Sequence, residues 1–118
     1  MSEIETSLIG FSRGDSSEDT FYASNPATGE QLAVAYASAS GAEVDRAAEL
    51  AEKATGTLAG LSGADKAKFL RAVADSVDAI VEDLVSIVTS ETGLPEPRVR
   101  GETGRTSGQL RLFADLVE

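Results

Sequence analysis

Glu91-Thr-Gly-Leu-Pro-Glu-Pro-Arg-Val-Arg-Gly-Glu-Thr-Gly-Arg-Thr-Ser-Gly-Gln-Leu-Arg-Leu-Phe-Ala-Asp-Leu-Val-Glu118 is the stretch that organises the chain. Gly93 stops one helix, because glycine reaches the left-handed conformation of a C′ residue, and Pro95 cannot continue it. A new helix starts at about Pro95 or Pro97 and carries the densest arginine cluster of the chain, Arg98, Arg100, Arg105 and Arg111. Gly101, Gly104 and Gly108 lie inside it, each at a cost of roughly 1 kcal/mol relative to alanine. At about 100° per residue, Arg98, Gly101, Arg105, Gly108, Gln109 and Leu112 share one face about 100° wide. That face is a floor of small residues from which cationic and amide groups rise. In one reading the glycines permit close helix packing, and Glu102 pairs with Arg98 and Arg105 on the surface for only ~0.3–0.5 kcal/mol per pair. In the other, a guanidinium beside the glycine floor binds a carboxylate bidentately. Periodicity alone favours the first, since surface ion pairs are common.

Upstream, Phe69, Leu70, Val73, Ala74, Val77, Ile80, Val81, Leu84, Val85, Ile87 and Val88 form an apolar stripe about 160° wide. A helix reaching from Ser62-Gly-Ala-Asp65 to about Ser90 is long enough that a break is expected near Asp78–Asp83, although no glycine or proline marks it. Before it, Ser40-Gly-Ala-Glu43 is a capping box, in which serine and glutamate reciprocally satisfy two backbone donors. The helix it opens carries Val44, Ala47, Ala48, Ala51, Thr55 and Leu58 on one stripe. Leu8–Phe11, Thr20–Ser24 and Gln31–Ala37 read as strands, the last from the alternation of Leu32, Val34 and Tyr36. Arg13–Asp19 reads as a polar turn, including the Arg13-Gly14-Asp15 triplet, and Asn25-Pro-Ala-Thr-Gly-Glu30 as a proline–glycine turn. The expected architecture is an α+β chain: an antiparallel β-hairpin arm over residues 1–40, then three to four helices over residues 41–118. A lone hairpin is marginal in water and needs something to pack on.

The chain has 118 residues, about one small domain, with six aromatics (four Phe, two Tyr) and no tryptophan, so a modest core of small residues is expected. Twenty acids stand against ten bases for a net charge of −10, which opposes binding to phosphate backbones or anionic membranes. Such a surface is either solubilising or an adaptation to high salt. There is no cysteine and no histidine, which removes disulfides, thiolate metal sites and the usual neutral-pH acid–base. The acidic N-terminus lacks a signal-peptide pattern, and the longest apolar run, Leu32–Ala37, cannot span a bilayer, so the expected location is the cytoplasm. No residues form a complete catalytic constellation, calcium loop, phosphate loop or clustered metal site.

The order of these signals resembles the beginning of the aldehyde dehydrogenase superfamily. The Asn25–Glu30 turn, the helix with Glu43-Val-Asp-Arg-Ala-Ala48, the helix with Phe69-Leu-Arg-Ala-Val-Ala-Asp75 and the Glu91-Thr-Gly-Leu-Pro95 ending carry the resemblance. The final segment through Gly104-Arg-Thr-Ser-Gly-Gln-Leu-Arg-Leu-Phe-Ala114 is similar to the subgroup that oxidises α-ketoglutarate semialdehyde (2,5-dioxopentanoate). The resemblance implies an N-terminal fragment of an NAD- or NADP-dependent oxidoreductase with the family's α/β fold, the helical segment flanking a cofactor domain not represented here. The superfamily's thiolate nucleophile, oxyanion-binding asparagine, general-base glutamate and nucleotide contacts have no counterpart in these residues. No catalytic, cofactor-binding or metal residue is therefore assigned, the isolated chain is expected to be inactive, and NAD or NADP is not expected to bind it. Aligning Leu110-Arg-Leu-Phe-Ala114 implies that Arg105 faces the substrate tunnel, with Gln109 a weaker neighbour. The implied partners are a small aldehyde, the remainder of the dehydrogenase or another subunit, and further copies in a homo-oligomer. A non-catalytic helical interaction module and a truncated inactive product are the alternatives.

Overall fold

The computed structural model describes residues 4–118, which fall into two compact units: residues up to 24 together with 29–59, and residues 25–28 together with 60–118. In the first unit β1 (Ile4–Glu5) is followed by a two-stranded ribbon, β2 (Leu8–Ile9) and β3 (Ser12–Arg13), then by β4 (Thr20–Ser24), β5 (Gln31–Ala37) and α1 (Gly41–Gly60). The three-stranded sheet has the order β1-β5-β4. β4 and β5 are antiparallel, with Phe21 opposite Tyr36 and their rings stacked at 5.7 Å, and a bulge between Tyr22 and Ser24.

Two details of the arm differ from the sequence-based expectation. Leu8–Phe11 is not one strand: Gly10 takes a positive φ of 62°, the chain reverses over Gly10-Phe11, and Leu8 pairs with Arg13. The strand that joins the sheet is instead Ile4–Glu5, and it runs parallel to β5, with Ile4 opposite Ala35. The arm is therefore mixed. Parallel pairing needs a long crossover, and here β2, β3 and β4 lie along it.

In the second unit α2 (Gly63–Ala79), α3 (Val81–Thr92) and α4 (Glu96–Val117) complete the set of four helices among the described residues. The long apolar stretch does break within Asp78–Asp83, at Ile80, whose φ of −108° and ψ of 16° leave the helical region. The Ile80 amide reaches back to the Val77 carbonyl at 3.3 Å, so the last turn of α2 tightens and α3 starts in a new direction. Gly93 ends α3 at φ 72°, its amide bonded to the Thr89 carbonyl at 3.0 Å. A side chain there would be both strained and pressed on Pro26 Cγ. Pro95 is the N-cap of α4 and Pro97 lies in its first turn, where a missing N–H costs nothing.

α2 and α4 make the main packing contact of this unit, and they are antiparallel. Arg71 in the middle of α2 bonds Asp115 at 2.7 Å and Glu118 at 2.6 Å; Arg111 bonds Asp75 at 2.8 Å and Asp78 at 2.7 Å; Arg100 bonds Glu82 of α3 at 2.7 Å. The core between them consists of small side chains, with Ala67, Ala74 and Ala114 at 0% exposure and Val99 at 4%. Close approach follows directly from this composition, because no large side chain holds the backbones apart. By contrast, α1 buries none of its residues, and Val44 and Leu58 of its predicted stripe are half exposed. The amphipathic pattern is present, but its own unit leaves most of it open.

The open face of helix α4

α4 has two faces about 180° apart at 3.6 residues per turn. Val99, Thr103, Ser107 and Ala114 are buried, whereas Arg98, Gly101, Arg105, Gly108, Gln109 and Leu112 are all exposed. The buried hydroxyls have acceptors within reach: Thr103 Oγ1 donates to the Val99 carbonyl at 2.9 Å, and Ser107 Oγ lies 3.3 Å from the Gly104 carbonyl. A hydrogen bond from the Ser107 side chain, followed by one from Arg111, holds the Asp78 carboxyl below its ordinary range. The Arg111 guanidinium is correspondingly shifted up by its bonds to Asp75 and then Asp78.

The arginine cluster thus separates by role. Arg100 and Arg111 tie α4 to α3 and α2, and Arg100 is held strongly cationic by Glu82 and then Glu96. Arg98 pairs within the helix with Glu102, Nε to Oε1 at 2.8 Å. Arg105 makes no hydrogen bond or ion pair among the described residues, so Glu102 serves one of its two expected partners and not the other. Gln109 stands one turn along on the same exposed face. A Cβ placed on Gly101, Gly104 or Gly108 would meet nothing within 4 Å, so no packing within this unit requires those glycines. The close-packing explanation for the glycine row fails inside this unit.

Sequence reasoning grouped Arg105 and Gln109 on one face, which is exposed, but did not separate the structural arginines from the free one. The signal was available: Arg100, Thr103, Ser107, Arg111 and Ala114 recur at spacings of three and four, on the side opposite Arg105. Among the described residues no group of three or more carboxylates is placed to hold a metal ion, and no helix is long and apolar enough to cross a membrane. A dinucleotide pyrophosphate needs free amides at a glycine-rich turn between strand and helix. Gly101, Gly104 and Gly108 lie within α4 and do not fit that requirement.

A model of the aldehyde dehydrogenase family matches residues 12–118. The α-ketoglutaric semialdehyde dehydrogenase 2 of Azospirillum brasilense is 42% identical over 111 residues, covering 93% of this chain and 21% of that protein. The α-ketoglutaric semialdehyde dehydrogenase of Acinetobacter baylyi is 41% identical over 75 residues, covering 64% of this chain and 14% of that protein. Among solved structures, PnpE in complex with nicotinamide adenine dinucleotide superposes with a TM-score of 0.82 at 25% identity, over 97% of this chain and 24% of that one. An NAD-dependent aldehyde dehydrogenase from Sinorhizobium meliloti gives 0.82 at 27% identity, over 98% and 24%. The chain belongs to the aldehyde dehydrogenase family, with the α+β architecture expected of that family's N-terminal part. It spans about one fifth of the length of the semialdehyde dehydrogenases it matches.

Proposed function

We propose that these residues form the N-terminal part of an NAD(P)-dependent aldehyde dehydrogenase that oxidises a short semialdehyde bearing a 2-oxo acid, 2,5-dioxopentanoate to 2-oxoglutarate. Within it, Arg105 holds the substrate's far carboxylate and Gln109 assists. The observation that carries this reading is the state of Arg105: a guanidinium without a carboxylate partner among the described residues, on a glycine-floored face, in a chain with twice as many acids as bases. An arginine fork matches a carboxylate bidentately, and a row of glycines leaves room for a substrate beside the helix. The nicotinamide cofactor supplies hydride acceptance in the whole enzyme; the residues here contribute substrate orientation and no step of that transfer.

The same reading explains the uncovered apolar surface of the helical unit. Phe69, Val73, Val77 and Ile80 line one open depression, and Ile80, Leu84, Val88 and Val99 take part in a second. Contiguous apolar surface of this kind marks a contact face, and relatives several times longer supply the remainder of a dehydrogenase subunit to cover it, with homo-oligomer formation in the complete enzyme. The test is specificity. The full-length enzyme carrying this segment should show kcat/KM for 2,5-dioxopentanoate at least about tenfold above that for pentanal, the discrimination expected of one charge-assisted contact. Equal values would overturn the assignment.

The acidic surface supports adaptation to a saline cytoplasm as part of this proposal. Carboxylates in excess repel at low ionic strength, and that repulsion is screened as the Debye length falls to about 3 Å at 1 M salt. Melting temperature should therefore rise by about 5 °C or more between 0.1 and 2 M sodium chloride, as scanning calorimetry would record. A curve that does not move would leave the acidity as a solubilising surface only.

A further inference from the structure

Two helices of this chain open with the same three residues and differ at the fourth: Ser40-Gly-Ala-Glu43 at α1 and Ser62-Gly-Ala-Asp65 at α2. Both serines cap equally well, accepting from the Glu43 amide at 3.2 Å and from the Asp65 amide at 3.1 Å. Aspartate thus suffices at this position for the serine cap. Glu43 is one methylene longer, and its carboxylate serves two further donors. Oε2 accepts from the Ser40 amide at 2.9 Å, and Oε1 accepts from the Asp15 amide at 2.8 Å, in a turn far away in sequence.

The residue before that turn amide is Gly14, and a Cβ placed there would meet Glu43 Oε1, so a side chain at this position must displace that carboxylate. The Gly14 amide itself donates to the Ser7 carbonyl at 2.7 Å, closing the base of the β2–β3 hairpin. One carboxylate therefore joins the base of the hairpin to the cap of α1. Hairpin and helix together wall an open apolar groove of about 700 Å³, lined by Leu8, Ile9, Phe11, Ala47, Leu50 and Ala54 among others.

We propose that the Glu43 carboxylate is a charge-dependent latch, fastening the base of the β2–β3 hairpin to the first turn of α1, and that neutralising it releases the Asp15 turn while α1 stays helical and Arg46 still reaches Ser12 Oγ at 3.5 Å. Bonds from the Ser40 amide, then the Asp15 amide, hold the Glu43 carboxyl below its ordinary range, with a smaller contribution from Arg46. The other charged groups nearby are Asp15 itself and Arg13, which is paired with Glu5 at 2.7 Å. Because the folded-state pKa is depressed, the latch is fully closed above the value of a free glutamate and is lost as pH falls through the lower folded value. At neutral pH it is closed.

The latch does not depend on the proposed substrate, and it is tested by amide hydrogen exchange and Cα chemical shifts on the full chain. Glu43→Asp retains the serine cap but cannot reach Asp15; exchange at the Asp15 amide should speed up on the order of tenfold, with the α1 shifts still helical. Gly14→Ala keeps the glutamate but displaces its carboxylate from the Asp15 amide, and should produce the same local release, so the test survives if one variant folds poorly. In the unaltered chain the Asp15 and Ser40 amide shifts should titrate together, with one midpoint below that of a free glutamate. Unchanged Asp15 exchange in both variants would overturn the proposal. Loss of α1 helicity in step with release of the Asp15 turn would overturn it equally, reducing Glu43 to a helix cap.

Discussion

Arg105→Ala, placed in a full-length dehydrogenase carrying this segment, is expected to raise KM for 2,5-dioxopentanoate roughly ten- to a hundredfold while leaving pentanal unaffected, the loss associated with one bidentate charge-assisted contact. Arg105→Lys should recover only part of the difference, because an ammonium keeps the charge but not the planar fork. Folding should be untouched, since Arg105 forms no hydrogen bond or ion pair among the described residues and its face of α4 is exposed. Steady-state kinetics with the two aldehydes, beside a melting curve, decide the matter. Equal losses on both substrates would remove Arg105 from the substrate site, and a lowered melting temperature would make it a structural arginine like Arg111.

The largest effect on stability is expected at Ala74, in the contact between α2 and α4. It is fully buried, as are Ala67 and Ala114. Leucine there must displace the facing helix, at a cost of about 2 kcal/mol, which for a unit of this size lowers the melting temperature by about 10 °C. Ala72, on the exposed side of the same helix, provides the control: Ala72→Leu should change stability by no more than about 0.5 kcal/mol. If the two substitutions behave alike, the small-residue seam is not what holds α4 against α2.

Local chemistry was legible wherever it is governed by a few adjacent residues. Ser40 with Glu43, Ser62 with Asp65, the left-handed Gly93 and the prolines at the start of α4 all act as their positions imply. The break at Ile80 was anticipated from the length of the apolar helix, although no glycine or proline marks its place. Strand pairing was less legible. Ile4–Glu5 is too short to announce a strand, and its parallel partner lies about thirty residues on in β5. Loop closure over such a distance leaves no local pattern.

The sequence by itself determined the helices, their caps and the two faces of α4, because helical periodicity and capping act over three to four residues. Only the tertiary structure decided which arginines are occupied. Arg71, Arg100 and Arg111 find carboxylates on other helices, across sequence separations that no periodicity encodes. Arg105, on the same helix as two of them, finds none among the described residues, because its face turns away from α2 and α3. The difference is one of orientation after packing: antiparallel alignment of α2 and α4 brings acids to one side of the helix and leaves the glycine-floored side open.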